Sequence, residues 1–133
     1  MTTEVGTKHD EEKPDFSLID AEWLEEVAKV MTFGKVKYDA HNWRKGLAIS
    51  RLLSAALRHL WAVVRGEDYD AETGLSHLAH LGCCAMFAHW TLKYRTDLDD
   101  RYKNPKEESS LPDRQSQEPN RPINWQPYPN RRV

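Results

Sequence analysis

Residues 50–94 decide the fold, and they read SRLLSAALRHLWAVVRGEDYDAETGLSHLAHLGCCAMFAHWTLKY. In the first half, apolar side chains recur at three- and four-residue spacing between Ser50, a favourable N-cap, and Gly66, a residue type that commonly ends helices. This pattern predicts a helix over Arg51–Arg65. The face that we expect this helix to bury comprises Leu53, Ala56, Leu57, Leu60 and Val64.

The second half of the stretch predicts a further helix from about Leu75 to Tyr94. Apolar side chains surround almost its whole circumference, which is typical of a helix that is buried on all sides. One polar face remains, because His77, His80 and Cys84 recur at i, i+3 and i+7. The connection between the two helices is short, so we expect them to pack antiparallel.

A helix that precedes this stretch completes the predicted bundle. Asp20 is a plausible N-cap for a helix over Ala21–Met31, and Gly34 lies just beyond its expected end. No alternating Val/Ile/Thr run indicates a strand, so we expect an all-α fold, a small antiparallel helical bundle. Roughly 80 ordered residues enclose only a small core, so we expect homo-oligomerisation to complete the bundle.

Charge and composition exclude several classes of protein. The 133 residues include 19 basic and 21 acidic side chains, a net charge of −2, which excludes a globally basic nucleic-acid coat and argues against stable binding of duplex nucleic acid. The chain has no run of about 18 apolar residues, so we expect no membrane span. Cys83 and Cys84 are adjacent, which predicts reduced thiols in a cytoplasmic protein.

The composition changes along the chain and predicts three regions. Residues 1–15 are acidic and polar, and we expect a flexible N-terminus. Residues 16–102 hold the predicted helices. Residues 103–133 are rich in Pro, Asn, Gln and Ser, and we expect this tail to be disordered. The alternative is that its Ile123–Tyr128 stretch, which includes Trp125, docks in a groove of this chain or of a partner.

A basic and aromatic loop after the first helix is the first candidate binding site. Phosphates are recognised by Lys and Arg, and a base is recognised by an aromatic ring and an amide, so residues 16–102 form a candidate nucleotide-binding domain. The alternative is that Phe33 and Trp43 anchor a solvated loop to the core. Arg51 and Arg58 extend the basic surface, and Arg51 lies at a helix N-terminus that favours anions. The loop residues predicted to bind nucleotide are Lys37, Tyr38, His41, Asn42, Trp43, Arg44 and Lys45.

Histidines and carboxylates at the connection between the last two helices form the second candidate site. An antiparallel pair brings the end of one helix near the start of the next, where imidazoles and carboxylates are able to hold a divalent metal. The alternative is that the carboxylates, Asp70 among them, are ordinary turn residues and the histidines are hydrogen-bonded core members. The predicted metal ligands are His59, Glu67, Asp68, His77 and His80, of which Asp68 and His80 are also the predicted catalytic residues.

The order of these motifs over residues 13–95 resembles one family, the phage-encoded N-terminal domain of dATP/dGTP diphosphohydrolases. The residues that carry the resemblance are Lys13-Pro14, Leu18-Ile19, Thr32-Phe33-Gly34, Lys37-Tyr38, His41-Asn42-Trp43-Arg44-Lys45-Gly46, Ser50-Arg51-Leu52-Leu53, Leu57-Arg58-His59-Leu60, Gly66-Glu67-Asp68 and Gly74-Leu75-Ser76-His77-Leu78-Ala79-His80.

The resemblance implies hydrolysis of a purine deoxynucleoside triphosphate to its monophosphate and pyrophosphate, as in MazG-like enzymes. Those enzymes are all-α and oligomeric, and they hold Mg²⁺ with helical carboxylates in Glu-x-x-Glu and Glu-x-x-Asp pairs. This sequence has His77-x-x-His80 in place of the second pair, and imidazole suits Mn, Ni or Zn better than Mg. The first pair has no clean counterpart on the second predicted helix, whereas Glu22-x-x-Glu25 and Glu26 on the first predicted helix keep its spacing.

The expected function is therefore a (d)NTP pyrophosphohydrolase of the phage-infected host cytoplasm, with Mg or Mn as cofactor. In that mechanism the metal lowers the pKa of an attacking water, and Lys45, Arg51 and Arg58 neutralise the leaving pyrophosphate. One alternative is a non-catalytic phage sponge, without a cofactor, that sequesters a nucleotide immune signal such as a cyclic oligonucleotide or an ADP-ribose derivative. Another is a helical adaptor that binds a partner through its Pro-rich tail.

Overall fold

The fold is taken from a computed structural model, in which residues 2–105 are described. Three α-helices, α1 (Ala21–Tyr38), α2 (Ile49–Val64) and α3 (His77–Tyr94), are joined by short 3-10 turns and loops. Within residues 2–105 the β-structure is limited to one isolated bridge, so the all-α prediction is confirmed. The compact unit that contains the helices ends at Arg101. The predicted docking stretch Ile123–Tyr128 lies outside the described residues.

Helix α1 is longer than the sequence pattern predicts. Its N-cap is Asp20, whose carboxylate accepts from the Trp23 N–H at 2.8 Å as expected. The predicted stop before Gly34 is wrong, because the helix continues through this glycine to Tyr38. A single glycine inside a helix costs only about 1 kcal/mol, which the packing of α1 offsets. Lys37 therefore lies on a helix and not in a loop.

Helices α2 and α3 run antiparallel, as the order of their contacts shows. Ile49 and Leu52 at the start of α2 pack with Ala88 near the end of α3. His59, one turn before the end of α2, meets His77 at the start of α3. The short connection thus places the polar ends of both helices together, whereas the apolar cluster lies at the opposite end of the pair.

Helix α1 packs against the first half of α3, also antiparallel. Val30 shares a buried cluster with Ala79 and Cys83. Nearer the start of α1, Trp23 lies so close to Gly82 that a Cβ on this glycine would be 2.9 Å from Trp23 Cζ2. The absence of a side chain at Gly82 therefore sets how closely α1 and α3 approach.

The predicted buried faces of α2 and α3 are wrong for the single chain. In α2 the buried residues are Ile49, Leu52 and Ala62, because α2 has apolar side chains on two sides and only one side packs on α3. The residues predicted to be buried in α2 that are exposed instead are Leu53, Leu57, Leu60 and Val64. In α3, Leu78 and Met86 are exposed, so this helix is covered on two sides and not on all.

The start of α2 is capped from a distant part of the chain. The predicted N-cap, Ser50, lies inside the helix, and the N-cap position is Ala48, which offers no side-chain acceptor. Instead the Ser50 N–H and hydroxyl donate to the two carboxylate oxygens of Asp100 at 2.8 and 2.5 Å. This carboxylate takes the position at the helix N-terminus where the sequence pattern predicts an anion beside Arg51.

The α1–α2 connection, residues 39–48, is closely fitted to the end of α3. Gly46 has φ 105°, and a Cβ there would lie 2.6 Å from Leu98 Cδ1 and 2.8 Å from Arg95 Nη1. The Arg95 guanidinium donates to the Lys45 carbonyl at 3.1 Å. No helix among the described residues is both long enough and apolar enough to cross a membrane.

Candidate functional site

The α2–α3 connection, residues 65–76, folds back on itself and brings the two helix ends together. Gly66 leaves α2 with φ 90°, a left-handed conformation that glycine adopts at little cost. Tyr69 and Ser76 then form an antiparallel bridge, and the His77 N–H donates to the Asp68 carbonyl at 2.9 Å. These backbone bonds fix the direction in which the first side chain of α3 points.

Three side chains from these elements converge as a possible metal-binding group. One ligand atom from each of His59, Asp70 and His77 lies within 4.8 Å of the other two. The Nδ1 atoms of the two histidines are 2.9 Å apart, which allows them either to share a proton or to bind one ion. We refer to His59, Asp70 and His77 as the His–Asp–His cluster.

The loop holds the Asp70 carboxylate in a defined orientation. Oδ1 of Asp70 accepts from the Glu72 N–H at 3.1 Å, and from the N–H and hydroxyl of Thr73 at 2.9 and 3.1 Å. Burial raises the pKa of Asp70, but the Thr73 bonds and the nearby His80 and His59 outweigh burial, so the net shift is downward. The carboxyl group is therefore ionised at neutral pH, with Oδ2 available to a ligand.

His80 supports the cluster from one side. Its ring stacks on the His59 ring, with 4.6 Å between centroids and 10° between planes. Its Nε2 lies 2.8 Å from the Thr73 hydroxyl, which also bonds Asp70. Thr73 therefore links the carboxylate of the cluster to the ring that orients His59.

His77 is the most deeply placed member of the cluster. It is 7% exposed, and its Nε2 is buried without a hydrogen-bond partner in residues 2–105. A carboxylate oxygen of Glu67, Oε2, lies 4.0 Å from this nitrogen. A buried polar atom without a hydrogen-bond partner destabilises the folded protein by about 1–3 kcal/mol. We therefore expect His77 Nε2 to gain a partner when the site binds a ligand.

The histidines around the cluster are held in the form that binds metals. Burial lowers the pKa of His59, and the neighbouring His80 and His77 lower it further. Burial also lowers the pKa of His80. Both rings are consequently neutral near pH 7, and a neutral imidazole is the form that donates a lone pair to a metal. Two imidazoles and one ionised carboxylate fit a divalent ion well.

The predicted ligand set and the observed cluster overlap but differ. His59 and His77 belong to both, and Glu67 and His80 lie at the edge of the cluster. Asp68 is exposed and contributes its carbonyl to the start of α3, while Asp70 supplies the clustered carboxylate. The sequence offers both carboxylates in one turn, and in the structure the bonds of Asp70 with Glu72 and Thr73 hold its carboxylate beside the histidines.

The predicted nucleotide-binding loop is folded against α3. Trp43 stacks on Phe87 with 4.8 Å between centroids and meets Trp90 edge-on at 5.3 Å. The Arg44 guanidinium lies 4.3 Å from the centre of the Trp43 ring, and its Nε donates to His41 Nδ1 at 3.2 Å. In this arrangement Trp43 acts as an anchor for the connection, which is the alternative that the sequence left open.

The structure divides the predicted phosphate-binding cations into two groups. Lys37 reaches the α2–α3 connection, where its Nζ lies 2.7 Å from Glu72 Oε1. Arg58 precedes His59 on α2, donates to the Ser54 hydroxyl at 3.0 Å, and contributes to the low pKa of His59.

The predicted residues of the α1–α2 connection lie toward the other end of α3. Trp43 packs at Phe87, ten residues after His77, and ten residues of helix span about 15 Å. Tyr38 ends α1 beside Lys37. The predicted residues that lie with the far end of α3 and not beside the His–Asp–His cluster are His41, Asn42, Trp43, Arg44, Lys45 and Arg51. Lys37 and Arg58 are therefore the two predicted cations associated with the cluster.

Comparison with known proteins identifies the family. The family described as dATP/dGTP diphosphohydrolase, N-terminal, matches residues 3–101. A protein of Salmonella phage PMBT28, named dATP/dGTP diphosphohydrolase, is 45% identical over 97 residues, which is 73% of this chain and 33% of that protein. The chain thus spans about a third of the relative's length, and no solved structure matches it significantly. Because the family match covers the whole helical unit and its cluster, this chain belongs to the dATP/dGTP diphosphohydrolase N-terminal family.

Proposed function

We propose that this chain takes part in the metal-dependent hydrolysis of purine deoxynucleoside triphosphates to monophosphates and pyrophosphate, in the cytoplasm of a phage-infected cell. The observation that carries the proposal is the His–Asp–His cluster, with its ligand atoms within 4.8 Å and a buried His77 Nε2 that has no partner among residues 2–105. The name of the phage relative supplies the class of substrate.

The reaction requires a water oxygen to bond to the α-phosphorus while the bond to the bridging oxygen of the β-phosphate breaks. A divalent ion bound at the site supplies positive charge to the phosphates and lowers the pKa of water. His59, Asp70 and His77 would hold that ion. His80 is neutral because burial lowers its pKa, so its ring is able to accept the proton of the attacking water. The exposed Asp68 carboxylate would help to position that water.

Two cations are placed to neutralise the triphosphate. Arg58 adjoins His59 on α2, and its guanidinium bonds only a neutral hydroxyl among the described residues, that of Ser54. Lys37 is paired with the exposed Glu72, and solvent screens an exposed pair of this kind strongly, so a phosphate would readily replace the carboxylate. Both residues would bind the charge that develops on the leaving pyrophosphate.

A homo-oligomer forms part of the same proposal. The support is the exposed apolar side of α2, where Leu57 and Trp61 are 63% and 60% exposed. Burying such side chains contributes about 1.5–3 kcal/mol each, which favours pairing with a second copy. Light scattering coupled to size-exclusion chromatography should give at least twice the monomer mass, and Trp61→Glu should reduce it; a monomer in both cases would contradict this part of the proposal.

The test of the hydrolase is a product analysis. Purified protein is incubated with each dNTP and Mg²⁺, Mn²⁺ or EDTA, denatured by heat, and the nucleotides are separated by chromatography. We expect deoxynucleoside monophosphate and pyrophosphate from dATP and dGTP only when metal is present. Asp70→Asn should lower the rate about 100-fold or more, because it removes the carboxylate that would hold the ion and so the stabilisation of charge that the ion would supply.

The matched control is His89→Gln, which alters an exposed histidine on the same helix as His77 and should leave the rate unchanged. Equal rates for Asp70→Asn and the unaltered protein would contradict the assignment of the cluster. Intact dNTP under every condition would contradict the hydrolase, and depletion of nucleotide followed by intact recovery after heating would identify binding without turnover.

A further inference from the structure

We infer that the His–Asp–His cluster selects a first-row transition-metal ion, such as Mn²⁺, Co²⁺ or Zn²⁺, over Mg²⁺, with Glu67 as the carboxylate that orients His77. This inference concerns the metal site of the function proposed above, but metal binding is measured separately from hydrolysis.

The chemistry of the donor atoms supports this selectivity. Mg²⁺ prefers an octahedron of oxygen ligands and keeps much of its water. Imidazole nitrogens suit Mn, Fe, Co, Ni and Zn, and two histidines with one carboxylate are a common ligand set for such ions that leaves coordination positions for substrate. The cluster offers two imidazoles against a single well-held carboxylate, Asp70.

The distance between the two rings fits a shared ion. Two neighbouring ligands at right angles on an ion with bonds of about 2.1 Å lie about 3.0 Å apart. The Nδ1 atoms of His59 and His77 are 2.9 Å apart. An ion bound to both would therefore require little movement of either ring, and it would replace the single proton that the two nitrogens share without metal.

The unpartnered nitrogen of His77 supports the same assignment of atoms. With Nδ1 of His77 on the ion, its Nε2 carries a proton and becomes a donor. Histidines that bind metals commonly donate this second N–H to a carboxylate. Glu67 Oε2 is 4.0 Å from Nε2, and Glu67 is exposed, so a small rotation of its side chain completes the bond. Glu67 is accordingly a positioning residue.

The other ligands are also held before any ion binds. Asp70 Oδ1 is fixed by Glu72 and Thr73, which leaves Oδ2 as the coordinating atom. The His59 ring is held by its stack on His80. A site whose ligands are already oriented loses little conformational entropy on binding, which favours an affinity that can be measured without nucleotide.

The experiment measures metal binding to the full chain without nucleotide. Protein stripped with EDTA and then freed of the chelator is titrated with MnCl₂, CoCl₂, ZnCl₂ and MgCl₂ by isothermal titration calorimetry. Bound Mn²⁺ is checked independently by loss of the free-ion signal in electron paramagnetic resonance. We expect at least one of the three transition ions to bind with 1:1 stoichiometry per chain and at least 100-fold more tightly than Mg²⁺. Equal affinities, or no binding of Mn²⁺, Co²⁺ or Zn²⁺ by folded protein, would overturn the inference.

Single substitutions then test which side chains bind the ion and which one orients a ligand. His59→Gln should weaken binding of the tightest-bound ion more than 100-fold, and Glu67→Gln about 10-fold, as changes to outer carboxylates commonly do. Circular dichroism checks that each variant is folded, and His89→Gln, which alters an exposed histidine outside the cluster, should bind like the unaltered protein. Unchanged binding by folded His59→Gln would overturn the assignment of the ligand. Unchanged binding by Glu67→Gln would overturn the positioning role.

The outcomes for the metal and for the reaction are distinct. Tight binding of a transition ion without hydrolysis would support the metal inference and contradict the proposed function. Hydrolysis that requires Mg²⁺ alone, without binding of Mn²⁺, Co²⁺ or Zn²⁺, would support the function and contradict the metal inference.

Discussion

The two connections between helices use their polar side chains in opposite ways. The α1–α2 connection holds the basic side chains of Arg44 and Lys45, and the structure uses Arg44 for packing. Arg44 covers Trp43, and Trp43 stacks on Phe87. The α2–α3 connection is mainly acidic, and it assembles the cluster and leaves a buried nitrogen without a partner within residues 2–105. In this chain a buried polar atom without a partner is thus a better indicator of the candidate site than a group of basic side chains.

This comparison predicts the largest loss of stability for Gly46→Val in the α1–α2 connection. A side chain at φ 105° is strained, and its Cβ would be 2.6 Å from Leu98 Cδ1. Together strain and overpacking should lower the free energy of unfolding by about 4 kcal/mol, measured by urea denaturation. Any folded fraction should bind metal normally; a loss of less than about 1 kcal/mol would show that the connection is not closely fitted.

The second prediction concerns Trp43→Ala in the same connection. It removes the contacts with Phe87, Trp90 and Arg44, and since Trp43 is half-buried the loss should be about 3 kcal/mol. Trp43→Phe keeps a ring and should lose about 1 kcal/mol. The metal affinity of both variants should be unchanged. Weaker nucleotide binding with full stability would instead make Trp43 a base-stacking residue and would reverse the comparison.

The third prediction alters the α2–α3 connection through Thr73→Val. This change removes the hydroxyl that bonds Asp70 and His80 but keeps the shape of the side chain. We expect metal binding about 10-fold weaker, with about 1 kcal/mol lost in the free energy of unfolding. Thr73→Ser retains the hydroxyl and should restore metal affinity. Equal affinities for the Val and Ser variants would exclude a positioning role for the hydroxyl.

The smallest expected effect is a dependence of stability on pH in the metal-free protein. The pKa values of His59 and His80 lie below the ordinary value of 6.5, chiefly because of burial. Below pH 6.5 the unfolded chain takes up protons that the folded chain does not, so the free energy of unfolding should fall as the pH is lowered toward the folded pKa values. His80→Gln should flatten this dependence in urea titrations between pH 7 and 5. If the free energy of unfolding of the variant depends on pH as steeply as that of the unaltered protein, the lowered pKa of His80 would be contradicted.

Local sequence patterns predicted where the helices form, but not which of their faces pack against other helices. The N-cap Asp20 and the three- and four-residue spacing were sufficient to place α1 and α2, because both depend on residues a few positions apart. The end of α1 was missed at Gly34, since the cost of one glycine is smaller than the gain from packing the helix beyond it. Which side of α2 is buried depends on α3, and no local pattern encodes that choice.

The site was predicted in part for a related reason. His59 and His77 follow from two antiparallel helices joined by a short loop. The choice between Asp68 and Asp70 depends on how the turn folds against α3, where Thr73 bonds both Asp70 and His80. The separation of Lys45 from the cluster depends on how the α1–α2 connection packs on α3. Residue types therefore identified the chemistry, while contacts between distant segments determined which residues perform it.

The link between Asp100 and Ser50 bears on how short this protein can be made. Tyr94 ends α3, the last α-helix among residues 2–105, and a chain cut there would retain α1, α2 and α3. It would lose the Asp100 carboxylate that accepts from the first turn of α2 and the Arg95 side chain that holds the Lys45 carbonyl. The smallest independently folding segment therefore extends through the residues after α3, and a truncation series should show its main loss of cooperativity between residues 100 and 94.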